Sequence, residues 1–245
     1  MNGSAAMISV EGLSIHFGGV AALSNVSFEV GEGQITGLIG PNGAGKTTCF
    51  NCITGLYAPS AGTISFRGEN LLRLSPHRIS GRGIARTFQN LELFSSMTAL
   101  ENVMVGVHAR RANGTSKRAG EQEARELLDY VGQGDNATRT AYGLPFGARK
   151  MIELARALAM DPELLLLDEP ASGFGHDAIA QIGDTIERIR RDFKTTILMV
   201  EHQMQLVMRV CDRIIVLTSG QKLAEGDPAA ISSNRAVIDA YLGSE

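Results

Sequence analysis

What the sequence lacks narrows it first. Nowhere in its 245 residues is there an apolar run approaching the ~18 that a membrane span needs. No charged-then-apolar leader opens the chain either, so a soluble protein of the cytoplasm is expected. Net charge is nearly absent: 23 Lys and Arg against 26 Asp and Glu leave -3, which gives no support to a nucleic-acid partner. Any association with a membrane must then run through another protein. Cysteine is scarce, with three residues at 49, 52 and 211, an odd number that makes no disulfide framework and fits a reducing compartment. Cys49 and Cys52 form a C-x-x-C that invites a redox reading. They fall in a helix-patterned stretch at i and i+3, where core packing is the better account. Internal repeats, low-complexity tracts and heptads are missing as well. Apolar residues are plentiful at 44%, which excludes disorder and suits one large domain or a core with a small subdomain.

The most informative stretch is Gly40-Pro41-Asn42-Gly43-Ala44-Gly45-Lys46-Thr47-Thr48. It fits G-x-x-x-x-G-K-[ST] residue for residue, between an apolar run at 35–39 and a helical pattern at 46–56. A glycine-rich turn there aims backbone N–H groups at one point, where the positive end of the helix also favours an anion. Lys46 can reach β- and γ-phosphates and Thr47 can hold Mg²⁺, so a nucleoside triphosphate site is expected.

Along the chain, residues 7–17 and 26–30 alternate as half-buried antiparallel strands, and 62–67 is another short strand. A helix opens at Ser75-Pro76, and 84–88 reads as a strand ending at Gln89. Thr98 and Glu101 offer a capping box to a helix over 98–109; a solvated loop over 110–118 and an amphipathic stretch over 119–131 follow. Residues 91–154 thus read as a helical insertion between core segments 1–90 and 155–245. The core resumes with a helix at 149–160, a buried strand at 164–168, a helix at 177–192, a strand at 195–200 and a helix at 203–210. Two strands, 213–217 and 221–225, and a helical tail from Pro228 complete it. Strands alternating with helices argue an α/β fold with a largely parallel sheet.

Phosphate chemistry needs a metal partner and a group acting on water. Leu164-Leu165-Leu166-Leu167-Asp168 delivers a carboxylate to the end of a buried strand, where ligands of open α/β sheets bind. Asp168 is placed to hold Mg²⁺ beside Thr47, and Glu169, one step on, to polarise the attacking water. His202 ends the next strand, within reach of the γ-phosphate. Gln89 follows a strand and can contact metal and water. Phe17, at a strand end before Gly18-Gly19, could stack on a base or pack in the core.

In this order and spacing, the loop at 40–48, Gln89, Leu164–Glu169 and His202 resemble an ABC-transporter ATP-binding subunit over the whole chain. Arg86-Thr87-Phe88-Gln89, Leu93-Phe94, Met97-Thr98, Glu101-Asn102-Val103, Glu153–Leu158 and Val237–Gly243 are similar to the larger ATPase subunit of branched-chain amino-acid importers, a group that includes urea and amide importers. The resemblance implies a P-loop NTPase fold with N-terminal antiparallel strands and a helical subdomain. It also implies ATP and Mg²⁺ as cofactors and adenine stacked on Phe17. It further implies a second ATPase subunit, identical or related, and two membrane permease subunits docked in a groove near Gln89–Val103. An extracytoplasmic binding protein would be an indirect partner, and the inner face of the plasma membrane the location. The family's Leu-Ser-Gly-Gly-Gln signature, which closes on the partner's ATP, corresponds to Leu144-Pro145-Phe146-Gly147-Ala148, where Leu144 and Gly147 survive. Within Ala171-Ser172-Gly173-Phe174-Gly175, an Asp or Asn is expected at Gly175. A soluble ABC ATPase acting on nucleic acid is disfavoured by the single unit and the lack of a basic face. A P-loop kinase should lack the Gln89 and signature segments.

Overall fold

Three apolar runs, β3 (Ile35–Ile39), β7 (Leu164–Asp168) and β8 (Thr196–Val200), show no polar alternation because every residue in them is buried. A strand covered on both faces has no position to offer solvent. The computed structural model describes residues 6–110 and 117–242. In chain order its other elements are β1 (Ala6–Phe17), β2 (Val20–Gly31), α1 (Lys46–Ile53), β4 (Ala61–Phe66), β5 (Glu69–Asn70), α2 (Pro76–Ser80) and β6 (Ile84–Arg86). There follow α3 (Ala99–Arg110), α4 (Lys117–Tyr130), α5 (Phe146–Leu158), α6 (His176–Phe193), α7 (Met204–Val210), β9 (Arg213–Thr218), β10 (Gln221–Gly226), α8 (Pro228–Ser232) and α9 (Arg235–Leu242).

The strands form two sheets. A four-stranded antiparallel sheet has the order β2-β1-β4-β5, and a six-stranded sheet the order β10-β9-β3-β8-β7-β6. The larger sheet is parallel except for the β9–β10 pair. Side-chain alternation divides its two faces. Leu164, Leu166, Leu198 and Val200 point toward the smaller sheet and α1, where Cys49, Phe50, Cys52 and Ile53 fill the gap. Leu165, Leu167, Ile197 and Met199 point the other way, into a core shared with α3 to α7. The phosphate-loop helix is therefore held between two sheets. All three thiols are buried, and burial pushes Cys52 up to about 11 and Cys211 to about 12. The C-x-x-C is core packing rather than a redox pair.

Several boundaries move for local reasons. β2 begins at Val20, six residues before the expected start, because register shifts against β1 between Leu13 and His16 break the alternation. β6 stops at Arg86: the Thr87 N–H still donates to the Leu166 carbonyl at 3.0 Å, but the next donor, the Asp168 N–H, goes to the Thr87 side-chain hydroxyl at 3.2 Å. α1 ends at Ile53 because Gly55 turns left-handed, φ 71°. α5 starts three residues earlier than its apolar pattern, at Phe146 behind the Pro145 N-cap. The capping box of α3 is present: the Thr98 N–H donates to Glu101 Oε2 at 2.8 Å, and the Glu101 N–H to Thr98 Oγ1 at 3.2 Å. Residues 111–116 of the expected loop and Gly243 of the tail pattern lie outside the described residues. No helix among the described residues is long and apolar enough to cross a membrane.

Candidate active site

The loop between β3 and α1 needs its glycines. Gly45 caps α1 at φ 99°, and a Cβ there would stand 2.6 Å from Leu23 Cδ2 and 2.7 Å from the Ala22 carbonyl oxygen. At Gly40, φ 149°, a Cβ would collide with the Leu217 carbonyl. The main chain is thereby pressed against β2 and β9. Lys46 opens α1, and its buried ammonium donates to the carbonyls of Gly40 at 2.7 Å and Pro41 at 3.0 Å. Burial lowers the Lys46 pKa, against the opposing pull of Glu169 and Asp168.

Asn42, Gly43, Ala44, Gly45, Lys46, Thr47 and Thr48 line one cleft of about 280 Å³ together with Ala22, Gln89 and Glu169. Residues far apart in sequence meet there because β3, β7 and β8 are neighbours and parallel, so their carboxyl ends share one edge. Asp168 ends β7 fully buried, and its Oδ2 accepts from Arg86 Nη2 at 2.7 Å. Its Oδ1 is buried with no hydrogen-bond partner among the described residues. Burial raises the Asp168 pKa, and the Arg86 bond and charge work against that rise. Glu169 leaves the strand at φ 48°, an uncommon conformation for a side-chain-bearing residue. Its N–H is held by the Val200 carbonyl at 2.9 Å, and its own carbonyl by Lys150 Nζ at 3.3 Å. His202 stands half-exposed with Nδ1 3.9 Å from Glu169 Oε2.

Phe17 is 46% exposed, so it is no core residue; its ring meets Tyr57 edge-on at 5.2 Å between centroids. Phe17 does not line the loop cleft, and neither do Leu144 and Gly147. Leu144 is buried in the helical core, and Gly147 lies in the first turn of α5 behind the Pro145 N-cap. The ring of Phe146 covers Gly173, φ 79°, while the ring of Phe174 lies over Gly147, where a Cβ would come within 2.9 Å. The two segments that depart from the family pattern are thus in reciprocal contact.

Four charged residues escape sequence reasoning. Glu201 is fully buried, and its carboxylate accepts from the N–H groups of Ala171 at 2.9 Å, His202 at 2.7 Å and Gln203 at 2.9 Å. Arg86 reaches Asp168 and α1 at once. On α5, Lys150 Nζ also donates to the Phe88 carbonyl at 3.4 Å, and Glu153 Oε1 accepts from the N–H groups of Phe88 and Glu92. Burial raises the Glu153 pKa, partly offset by those two bonds and by Lys150 and Arg156. The segment carrying Gln89 is therefore gripped on both sides by the helix that starts at the signature. The only trace of this in the sequence is a pair of charges on the apolar face of α5.

A larger groove of about 670 Å³ adjoins it, lined by Leu56, Ile79, Phe88, Leu93, Phe94 and Met160 among others. Arg86 belongs to its wall.

Known proteins resemble this chain in sequence and in fold. A family model described as ABC transporter matches residues 23–172, more than half of the chain, and one described as branched-chain amino acid ATP-binding cassette transporter matches 221–245. The high-affinity branched-chain amino acid transport ATP-binding proteins LivG of Salmonella typhimurium and Escherichia coli are each 41% identical to it, over 97% of this chain and 98% of theirs. BraF of Pseudomonas aeruginosa, described in the same words, has the same identity and coverage. Among solved structures, a nucleotide-free ATP-binding cassette from an ABC transporter matches with a TM-score of 0.85 at 28% identity, covering 96% of this chain and 98% of its own. A cassette in its ADP conformation gives 0.85 and 28%, covering 97% and 99%. With relatives this similar along nearly the whole chain, the protein belongs to the ABC-transporter family of ATP-binding cassettes.

Proposed function

We propose that this chain is the ATP-hydrolysing subunit of an ABC importer for branched-chain amino acids. The observation that carries the reading is the cleft itself, where the phosphate loop, Gln89 and Glu169 face one another with Asp168 and His202 alongside. Lys46 would exchange its two loop carbonyls for β- and γ-phosphate oxygens, while N–H groups of residues 43–48 bind the phosphate chain. Glu169 orients the attacking water, Gln89 assists it, and His202 meets the γ-phosphate. Phe17 stacks on the base, with Tyr57 steadying its ring.

The site's residues suit Mg²⁺. The orphaned buried Oδ1 of Asp168 is the kind of hard oxygen that ion takes, and Thr47 and Gln89 would add to it. Mg²⁺ keeps much of its shell as water and phosphate oxygen, in keeping with the absence, among the described residues, of any cluster of three or more His, Cys, Asp or Glu placed for a metal. When bound, it neutralises charge on the phosphates.

A second ATPase subunit, a related chain or a second copy, completes each site, with Gly147 in the first turn of α5 closing on the partner's nucleotide and the buried Leu144 anchoring that turn to the helical core. ATP closes this sandwich and hydrolysis reopens it. The groove beside residues 89–103 receives a cytoplasmic helix of each permease subunit and holds the chain at the inner face of the membrane. A binding protein on the far side acts only through the permease, and no nucleic acid is involved. The test is expression with the permeases and second ATPase encoded nearby. Co-purification, and ATPase activity in vesicles stimulated by a loaded leucine- or valine-binding protein, are expected; a complex that ignores branched-chain ligands refutes the assignment of cargo.

A further inference from the structure

The three side chains assigned to Mg²⁺ stand on three separate elements. Thr47 is on α1, Gln89 follows β6, and Asp168 ends β7. Among the described residues, backbone pairing joins only two of these: β6 is an edge strand bonded to β7 alone, and α1 belongs to neither sheet. A single guanidinium spans the rest. Arg86 Nη2 donates to Asp168 Oδ2 at 2.7 Å. Its Nη1 donates to Asn51 Oδ1 at 2.7 Å and to Thr54 Oγ1 at 3.2 Å, both at the far end of α1. Its own Cα lies in β6, three residues before Gln89. The side chain is almost fully buried, with the rings of Phe88 and Phe50 4.9 and 5.4 Å from its carbon.

We propose that Arg86 is a positioning residue for the metal: it sets the mutual spacing of the Thr47, Gln89 and Asp168 elements and commits Asp168 Oδ2, so that Oδ1 alone faces the ion. The fork geometry is what the task requires. A rigid planar group can bond two elements at once at fixed separation, whereas an ammonium is a point charge on a flexible stem. Residues behind metal ligands commonly fix their orientation in this way, and losing one costs roughly 10–100-fold in metal affinity or activity. The effect should therefore fall on Mg²⁺ and leave nucleotide contacts of the phosphate loop alone.

The inference rests on the nucleotide-site reading, and the experiment separates the two. Wild type, Arg86→Gln, Arg86→Lys, Asn51→Ala and Asp168→Asn are compared as the full chain. Binding of a fluorescent ATP analogue is measured first in EDTA and then across a Mg²⁺ titration, with thermal melts alongside. Arg86→Gln is expected to bind the analogue normally in EDTA and to need roughly 10–100-fold more Mg²⁺ for the metal-dependent gain. Arg86→Lys should fall between it and wild type. Steady-state turnover should show a raised KM for Mg²⁺ with kcat largely restored at saturating metal. Arg86→Gln leaves a buried carboxylate without its partner and can fail to fold. Asn51→Ala keeps the ion pair and removes the shorter of the two bonds from Arg86 to α1, the one to Thr54 Oγ1 remaining, and a rightward Mg²⁺ shift in it supports the proposal. Unmoved Mg²⁺ midpoints in the Arg86 and Asn51 variants, with a shift in Asp168→Asn, overturn the positioning role. No shift in Asp168→Asn either overturns the site itself.

Discussion

Glu201→Gln is the perturbation whose cost can be worked most directly from the geometry. The carboxylate takes three backbone N–H groups, from Ala171 on one oxygen and from His202 and Gln203 on the other. It is fully buried and ties the loop after Glu169 to the loop carrying His202. Glutamine has nearly the same shape but only one oxygen, so whichever way its amide turns, at least one N–H meets an NH2. A buried donor left unsatisfied costs about 1–3 kcal/mol, and bonds that lose their charge weaken by about 1 kcal/mol each. A neutral amide is easier to bury than a carboxylate, which offsets part of this. A net loss of about 3 kcal/mol corresponds to a Tm lower by roughly 6–12 °C in a chain of this size. Turnover should fall roughly tenfold to a hundredfold as Glu169 and His202 lose their mutual setting, while ATP affinity, set by the phosphate loop, holds. Circular-dichroism melts, equilibrium nucleotide binding and steady-state ATPase of the same preparation check all three. A variant that melts and turns over like wild type refutes the argument that Glu201 locks the two loops.

Lys46→Ala should abolish ATP binding or hydrolysis, since it removes a charge-assisted contact worth roughly 1.5–3 kcal/mol per phosphate bond; equilibrium binding and turnover near wild type would sink the nucleotide-site assignment. Phe17→Ala should weaken ATP binding by about 1–3 kcal/mol, the range for base–aromatic stacking, with little change in Tm because the ring is half-exposed; a large fall in Tm at unchanged affinity would assign the ring to packing instead. In a transporter whose partner carries the full signature, Glu169→Gln should remove most ATPase activity and the partner's equivalent change much less, because the partner's ATP faces Pro145–Ala148. One lost donor to a developing charge costs about 2.7–4 kcal/mol, of which the positive end of α5 recovers part. Equal losses from the two single mutants would refute the asymmetry.

The parts of the site legible in the sequence were those that local chain geometry dictates. A glycine loop after an apolar strand can do little else, and Asp168 after four leucines has one place to be. The buried ions were not legible, because their partners arrive from other elements. On α5 the apolar period marks 151, 152, 154, 155 and 158, yet Met151 is partly exposed while Lys150 and Glu153 are buried. Both charges answer a segment more than fifty residues earlier in the chain, which periodicity cannot register. The hairpin start at Val20 was hidden for a different reason: bulges shift the alternation on which a strand reading depends.

The aromatic-on-glycine contacts between the start of α5 and the loop before α6 bear on any attempt to repair the signature. Putting glycine at 146 would strip the cover from Gly173, whose left-handed backbone and bare Cα now accept that ring. Any side chain at 147 would run into Phe174. The two atypical segments therefore behave as one exchangeable cassette. Grafting the family's Ser-Gly-Gly-Gln alone removes the Phe146 ring and leaves Gly173 uncovered while Phe174 stays over Gly147, whereas replacing 145–148 and 173–175 together exchanges both halves of the contact.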